Sequence, residues 1–235
     1  MAGKKGLFSR LGTYLTEIVI IIIGITISFA MDDWEKKRSA RTDYQNYLVR
    51  LQQDIRIDST QIQDDVGSYA RKIKGVDLIF AFRPDMPQDS IALLGRAQDN
   101  LLNYVEFLPN DNTFQVLSST GDFRVFENDS LVSELFQLYD YDYAFIAMLG
   151  REANGERNDL LKPYLIDNIY FEDKLTFPLV RTDIAAVIGD RKFRNICLDY
   201  KESCFGAINS YRRAMDRMRN INAIIRSELD RIAGE

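Results

Sequence analysis

Residues 11–34, LGTYLTEIVIIIIGITISFAMDDW, are the stretch that decides the fold. Residues 11–31 are twenty-one residues with a single charge, Glu17. About twenty helical residues cross the hydrocarbon core of a bilayer. Aromatic residues such as Tyr14 and Trp34 are typical of the two membrane interfaces. The stretch therefore predicts a single-pass transmembrane anchor.

The anchor is expected to stay in the mature protein. Ser28 and Ala30 resemble the small-x-small pattern of a signal-peptide cleavage site. The apolar run is nevertheless long, and helix-forming sequence follows it at once, which favours an uncleaved anchor over a cleaved leader.

The charges beside the anchor indicate its orientation, although the two flanks nearly tie. Three basic residues precede it and four follow it: Lys4, Lys5, Arg10, Lys36, Lys37, Arg38 and Arg41. A short basic amino terminus before a first apolar segment usually stays in the cytoplasm. We therefore expect a cytoplasmic tail over residues 1–10 and a periplasmic carboxyl-terminal domain, in a bacterial inner membrane.

Composition limits the function classes. The chain has 235 residues, a formal net charge of −5, no histidine and two cysteines. It has no basic surplus to bind nucleic acid, and it lacks the commonest general base and metal ligand. Cys197 and Cys204 would lie about 10 Å apart on one helix, too far for a disulfide. The sequence predicts no enzyme: no catalytic residue, no cofactor and no metal site.

Two long amphipathic helices are predicted to frame the rest of the chain. Apolar residues recur every three or four positions from Tyr44 to Phe80, with Asp58 or Ser59 filling the one gap, and again from Phe193 to Ile232. This coiled-coil-like spacing is typical of helices that pack along one face. A short helix is expected over residues 182–188.

The predicted fold is all-α. An anchor over residues 11–34 continues into a first stalk helix over 35–82, which is antiparallel with a returning helix over 190–235. A cap of shorter helices occupies residues 83–189. In this register Asp54 and Asp58 are expected to face two arginines, Arg219 and Arg217 respectively.

Within the cap, three boundaries are expected. A helix capped by Asp89 or Ser90 is predicted from Ile91 to about Phe107. The polar run REANGERN, residues 151–158, is expected to break the next long helix. Residues 163–178 are aromatic and irregular in pattern, and are expected to form a packed connector rather than a strand.

Three segments resemble one known family. They are TEIVIIIIGITISFAMDDWEKKR, YQNYLVRLQQDI and FLPNDNTFQVLSSTGDFRVFENDSLVSELFQLY. Together they are similar to a family of uncharacterised bacterial single-pass membrane proteins, and the similarity spans nearly the whole chain. The anchor and the PNDNTFQVLSSTG block are the most specific parts. The family has no assigned activity, so the resemblance implies topology and a helical fold.

One face of the anchor carries residues that favour helix association. Glu17, Gly24 and Ser28 lie seven and four residues apart, and so share one face. Gly24 and Ser28 form a small-xxx-small pair that allows close helix approach. A carboxylate in a membrane segment is costly and often functional. The alternative for Glu17 is a carboxylate at headgroup depth, solvated or paired with Arg10.

An aromatic run in the cap is the other candidate site. YDYDYAF, residues 139–145, includes Tyr139 and Tyr143, and Tyr164 follows nearby. These tyrosines could line a ligand pocket or a partner surface. The alternative is that they pack in the core, as aromatic residues in helices usually do.

Two functions remain open. The first is a membrane-anchored, non-enzymatic structural or accessory subunit of an envelope assembly, which forms homo-oligomers through anchor and stalk. Its partners would be the lipid bilayer, other copies of the chain and an envelope protein. The alternative is an extracytoplasmic ligand-sensing domain that signals through a partner protein, since only residues 1–10 would lie in the cytoplasm. A closed tyrosine pocket would favour sensing.

Overall fold

The computed structural model describes residues 4–83, 85–87, 90, 93, 94, 97, 100–169 and 181–234. The side chains of residues 4–18 and 181–184 lie outside the described part. The predicted role of Glu17 therefore falls outside it, as does the connector predicted over residues 163–178 from residue 170 onward. Residues 163–168 are helical, so the prediction of irregular structure was wrong there.

All regular structure in the described residues is helical, which confirms the all-α class. The α-helices are α1 (Lys4–Phe80), α2 (Asn112–Thr120), α3 (Asp129–Phe136), α4 (Tyr143–Glu156), α5 (Lys162–Asn168), α6 (Arg181–Gly189) and α7 (Arg191–Gly234). A 3₁₀-helix covers Asp122–Val125, and π-helices cover Gln137–Asp142 and Arg157–Leu161. Helical residues also occur at 90, 93, 94, 97 and 100–102. Across the described residues, no helix combines the length and the apolar character that crossing a membrane demands.

The core forms where α7 and the shorter helices cover α1. The apolar residues predicted to pack on α1 and α7 are buried or half-buried, as expected. Side chains of α1 and α7 are hydrogen-bonded to each other, as two pairs show. The Tyr44 hydroxyl donates to Glu228 at 3.1 Å, and the Lys72 ammonium donates to the Tyr200 hydroxyl at 2.8 Å. Burial of these stripes supplies the main stabilising free energy of the body, at about 25 cal/mol per Å² of apolar surface.

The helix predicted to reach Phe107 is shorter than expected. Helical conformation ends at Leu102, and residues 103–111, here called the extended segment, have no regular structure. Val105 and Phe107 are buried while the residues between and beside them are exposed. This alternation has a period of two, which is typical of extended backbone rather than of a helix. The prediction over residues 103–107 was wrong.

The break predicted within REANGERN is also wrong. Helical conformation continues without interruption from Asp129 to Asn168 and changes to π-helix twice on the way. Two polar residues of this run donate to backbone carbonyls at and just before the start of the extended segment. The Asn154 side-chain amide donates to the Val105 carbonyl at 2.7 Å, and the Arg157 guanidinium donates to the Leu102 carbonyl. A non-helical backbone in the core needs such donors for its carbonyls.

Candidate functional site

The most unusual surface of the molecule is the amino-terminal part of α1. Every described side chain from residue 19 to residue 43 is exposed. Ten of them are large and apolar, with exposed fractions between 51% and 70%: Val19, Ile20, Ile21, Ile22, Ile23, Ile25, Ile27, Phe29, Met31 and Trp34. Soluble monomers rarely expose a contiguous apolar surface of this extent. We call residues 19–34 the apolar end of α1.

Gly24 and Ser28 come together on one face of the apolar end. The Ser28 hydroxyl donates to the Gly24 carbonyl at 2.9 Å, one turn back along the helix. A Cβ placed on Gly24 would meet nothing within 4 Å. No other part of the described chain therefore packs closely against Gly24. The remaining predicted member of this face, Glu17, has its side chain outside the described part.

The structure brings Tyr139 and Tyr143 together and places Tyr164 elsewhere. The Tyr139 and Tyr143 rings lie 5.1 Å apart, edge to face, and the Tyr139 ring stacks on Phe114 at 4.5 Å. The Tyr164 ring instead stacks on Phe193 at 5.3 Å. All three tyrosines are buried. The Tyr139 hydroxyl has no hydrogen-bond partner among the described residues.

Tyr143 belongs to a buried polar contact centred on Asp58. This carboxylate accepts hydrogen bonds from the Tyr143 hydroxyl at 2.6 Å and from the Asn110 backbone N–H at 2.7 Å. Burial raises the pKa of Asp58 above its usual range. The pairing expected with Arg217 does not form, because Arg217 binds Asp142 at 2.5 Å instead.

Asp54 also departs from the expected charge pairing. It accepts from the Asn110 side-chain amide at 2.8 Å and from the Thr113 backbone N–H at 3.3 Å. Its expected partner, Arg219, instead contacts Asp216 on its own helix. A carboxylate near the first turn of α2 satisfies N–H groups that have no partner within that helix. Asp54 and Asp58 therefore hold Asn110 and the first turn of α2 rather than α7.

A buried cation lies near the middle of the body. The Lys72 ammonium contacts the Tyr200 hydroxyl at 2.8 Å, the Leu101 carbonyl at 3.5 Å and the Asn103 carbonyl. These three acceptors are uncharged, and burial lowers the pKa of Lys72 to about 8. Lys72 fastens the start of the extended segment to α1 and α7.

The buried thiols have little chemical reactivity. Burial raises the pKa of Cys197 and that of Cys204 to about 12. A thiol is nucleophilic, or able to bind a metal, only as the thiolate. Among the described residues, no group of three acidic, cysteine or histidine side chains is placed to hold a metal ion. The buried contacts of Asp54, Asp58 and Lys72 all join one segment of the chain to another.

Comparisons with known proteins give no family assignment. No protein-family model matches the chain. Curated proteins and solved structures likewise give no match. The resemblance to bacterial single-pass membrane proteins therefore stays a prediction from the sequence.

Sequence reasoning missed Lys72, although a signal was present. Lys72 lies three residues after Tyr69 and four before Val76, so it occupies the buried face of α1. A lysine on the buried face of a helix indicates that buried hydrogen-bond acceptors surround its ammonium group. Asp58 interrupts the apolar repeat of α1 and was a similar signal. Its carboxylate accepts a hydrogen bond from Asn110.

Proposed function

We propose that this protein is a membrane-anchored, non-enzymatic structural or accessory subunit of a bacterial envelope assembly. Residues 11–34 would cross the inner membrane once, with residues 1–10 in the cytoplasm and the helical body in the periplasm. The observation that carries this proposal is the apolar end of α1, whose side chains are exposed on every side of the helix.

Length supports a membrane as the environment of this segment. At 1.5 Å per residue, residues 11–34 extend about 36 Å, against about 30 Å for a hydrocarbon core. The proposed span begins eight residues before the first described side chain at Val19. Helix α1 continues from Lys4 to Phe80, so the apolar end projects from the body instead of folding back onto it.

The free energy of hydration also argues that something covers this surface. Ten half-exposed large apolar side chains cost roughly 1 kcal/mol each in water, on the order of 10 kcal/mol in total. That is comparable with the whole stability of a typical domain. Lipid chains would cover the sides of the helix that a second anchor helix does not, as its uniform exposure requires.

Extraction and labelling test the anchor and its orientation. We expect alkaline carbonate to leave the full chain in the membrane pellet. Ser227 is exposed on α7, while Cys197 and Cys204 are fully buried. In Ser227→Cys, a membrane-impermeant maleimide should therefore label one site once the outer membrane is permeabilised. Labelling only after the inner membrane is lysed would refute the orientation, and release by carbonate would refute the anchor.

Self-association of the anchor through Gly24 and Ser28 is part of the proposal. Gly24→Ile creates no clash within the chain, since a Cβ there meets nothing within 4 Å. A lower mass of the detergent-solubilised variant would thus reflect lost contact between chains. Ala30→Ile, on another face of the same helix, is the matched control. Equal masses for wild type and both variants would refute self-association through Gly24 and Ser28.

The proposed stalk is an antiparallel pair of α1 and α7. Its support is the pairing of Tyr44 with Glu228 and of Lys72 with Tyr200. Leu51→Cys with Ile225→Cys, in a chain whose two native cysteines are alanine, tests it by oxidation or a short bis-maleimide. We expect cross-linking within one chain. Cross-linking only between chains would instead indicate an extended oligomeric coiled coil.

One observation favours the alternative of ligand sensing. The Tyr139 hydroxyl is buried without a partner in the described part of the chain, and it lies in a π-helix, a conformation that is frequent at functional sites. Native mass spectrometry of the purified full chain tests this alternative. A small molecule that co-purifies with wild type and is lost in Tyr139→Phe would support sensing. Its absence from both proteins would favour the structural role.

A further inference from the structure

One face of α1 carries a single charge over about ten helical turns. We call it the open face and define it by these residues: Gly24, Ser28, Met31, Glu35, Ser39, Thr42, Asn46, Val49, Gln53, Ile57 and Thr60. The steps between them alternate between three and four residues and average about 3.6, which is the repeat of a straight α-helix. All eleven residues are exposed, and Glu35 is the one charged member.

The open face lies opposite the part of α1 that packs in the core. Gln53 is nine residues from both Tyr44 and Ile62, or about two and a half turns, which places it on the other side of the helix. Tyr44 and Ile62 are buried, whereas Val49 and Ile57 on the open face are 39% and 57% exposed. The body therefore covers one side of α1 and leaves the open face uncovered.

The open face continues the face that Gly24 and Ser28 present in the proposed anchor. Helix α1 is unbroken from Lys4 to Phe80, and its sequence has neither glycine nor proline between Gly24 and Gly67. Between residues 32 and 37, two exposed ion pairs at 2.6 Å and 2.9 Å, each one turn long, support the helix. Two chains that meet at Gly24 thus have their open faces turned toward each other along the body.

The lack of charge on this face fits a second copy of the chain. Two copies anchored in one membrane run parallel, and a two-fold axis then sets each residue of the open face against the same residue of the other copy. Charged residues so placed would repel, and charges are depleted at the centre of interfaces. The open face has no charge from Ser39 to Thr60, whereas Arg50 and Arg56 lie on other exposed sides of α1. A different protein could offer opposite charges, so it would not require such a face.

We propose that two copies of the chain pack in parallel along the open face of α1, from Gly24 in the membrane to Thr60 beside the body. The proposal rests on the proposed anchor and its self-association. The two helices would run side by side for about 54 Å, with the two bodies on the outer sides.

Asn46 and Ser227 provide a matched pair for a cross-linking test. Both are exposed. Ser227 adjoins Glu228, which accepts a hydrogen bond from Tyr44, so the two positions lie at the same height along α1. Asn46 is on the open face, whereas Ser227 is on α7.

The full chain, with its two native cysteines replaced by alanine, is treated in native membranes with a short bis-maleimide. We expect Asn46→Cys to be joined to a second copy and Ser227→Cys to stay single. Equal cross-linking of the two variants, or none at Asn46→Cys, would overturn the proposal. Cross-linking of Asn46→Cys to a different protein instead of a second copy would overturn it too.

Two neighbouring glutamines test whether the open face makes the contact. Gln53 is exposed on this face, and Gln52 is half-buried on another side of α1. In the Asn46→Cys chain, Gln53→Glu should lower the yield of cross-linking about two-fold, the effect of two like charges about 8 Å apart in water. Gln52→Glu should leave the yield unchanged. Equal yields in the two variants would contradict packing along the open face.

The proposed function is tested separately from this packing. Release by carbonate refutes the anchor, and an unchanged mass of Gly24→Ile in detergent refutes its self-association. A chain that passes both tests and still shows no cross-linking at Asn46→Cys refutes only the packing along the open face.

Discussion

Replacing Lys72 by methionine removes the buried charge while nearly preserving side-chain volume. Lys72 is fully buried, and burial lowers its pKa from the ordinary 10.5 to about 8. Between these values the unfolded chain binds more protons than the folded one, so the free energy of unfolding of the wild type rises with pH. Lys72→Met has no titrating group at this position and lacks that rise.

The lowered pKa sets the size of the effect. A difference from 10.5 to about 8 corresponds to about 3 kcal/mol when the titration is complete. Raising the pH from about 7 to about 9.5 covers part of this window, and we expect the wild type to gain about 2 kcal/mol relative to Lys72→Met. Tyrosines and cysteines that do not interact with Lys72 are present in both proteins, and so cancel in the difference.

Urea denaturation of the full chain in detergent, followed by circular dichroism at the two pH values, measures this difference. Lys74→Met is the matched control, because Lys74 lies two residues away on the same helix and is exposed. Its stability should follow that of the wild type at both pH values. If Lys72→Met also follows the wild type, Lys72 does not titrate as a buried cation, and its role in holding the extended segment is refuted.

Three further substitutions test the body. Burial raises the pKa of Asp65 to about 6 from 3.8, so its contribution to stability is complete below about pH 3.8 and lost as pH rises through about 6. Asp65→Asn should therefore melt above wild type at neutral pH and together with it near pH 4; a constant offset would contradict this. Gly75→Ala brings a Cβ within 3.0 Å of the Ala97 carbonyl and should lose about 1–3 kcal/mol in urea denaturation. Gly155→Ala meets nothing within 4 Å and should gain about 0.5–1 kcal/mol; a loss in Gly155→Ala equal to that in Gly75→Ala would contradict the packing.

The two long stripes could be predicted from the sequence because their periodicity reflects burial directly. Residues from Tyr44 to Phe80 and from Phe193 to Ile232 repeat every three or four positions, and one face of each helix forms the core. Apolar spacing of this kind depends only on local geometry. The all-α class followed from it.

The extended segment could not be predicted, since its conformation depends on distant side chains. Val105 accepts from Asn154, and Leu102 accepts from Arg157. The same polar run that suggested a helix break supplies donors to the Leu102 and Val105 carbonyls, where the helix ends and the extended segment begins. The two errors in the predicted cap thus share one cause, a contact between segments about fifty residues apart, and a single periodicity cannot reveal it.

The predicted charge pairs failed for a related reason. Asp54 and Asp58 were matched with α7 by register alone. The structure instead uses them on Asn110, whose backbone and side-chain donors need acceptors. Tyr139 and Tyr143 were close in sequence and meet in space, while Tyr164 lies on a separate ring pair. Proximity along one helix was predictable, but partners contributed by other segments were not.

Trp34 offers the most direct test of the membrane anchor, because it is the one tryptophan of the chain. It lies at the end of the apolar segment and is exposed. In vesicles, lipids brominated near the glycerol end of the acyl chain should quench its fluorescence more strongly than lipids brominated near the methyl end, as an interfacial tryptophan requires. Fluorescence unaffected by either lipid, with emission typical of tryptophan in water, would contradict the membrane anchor.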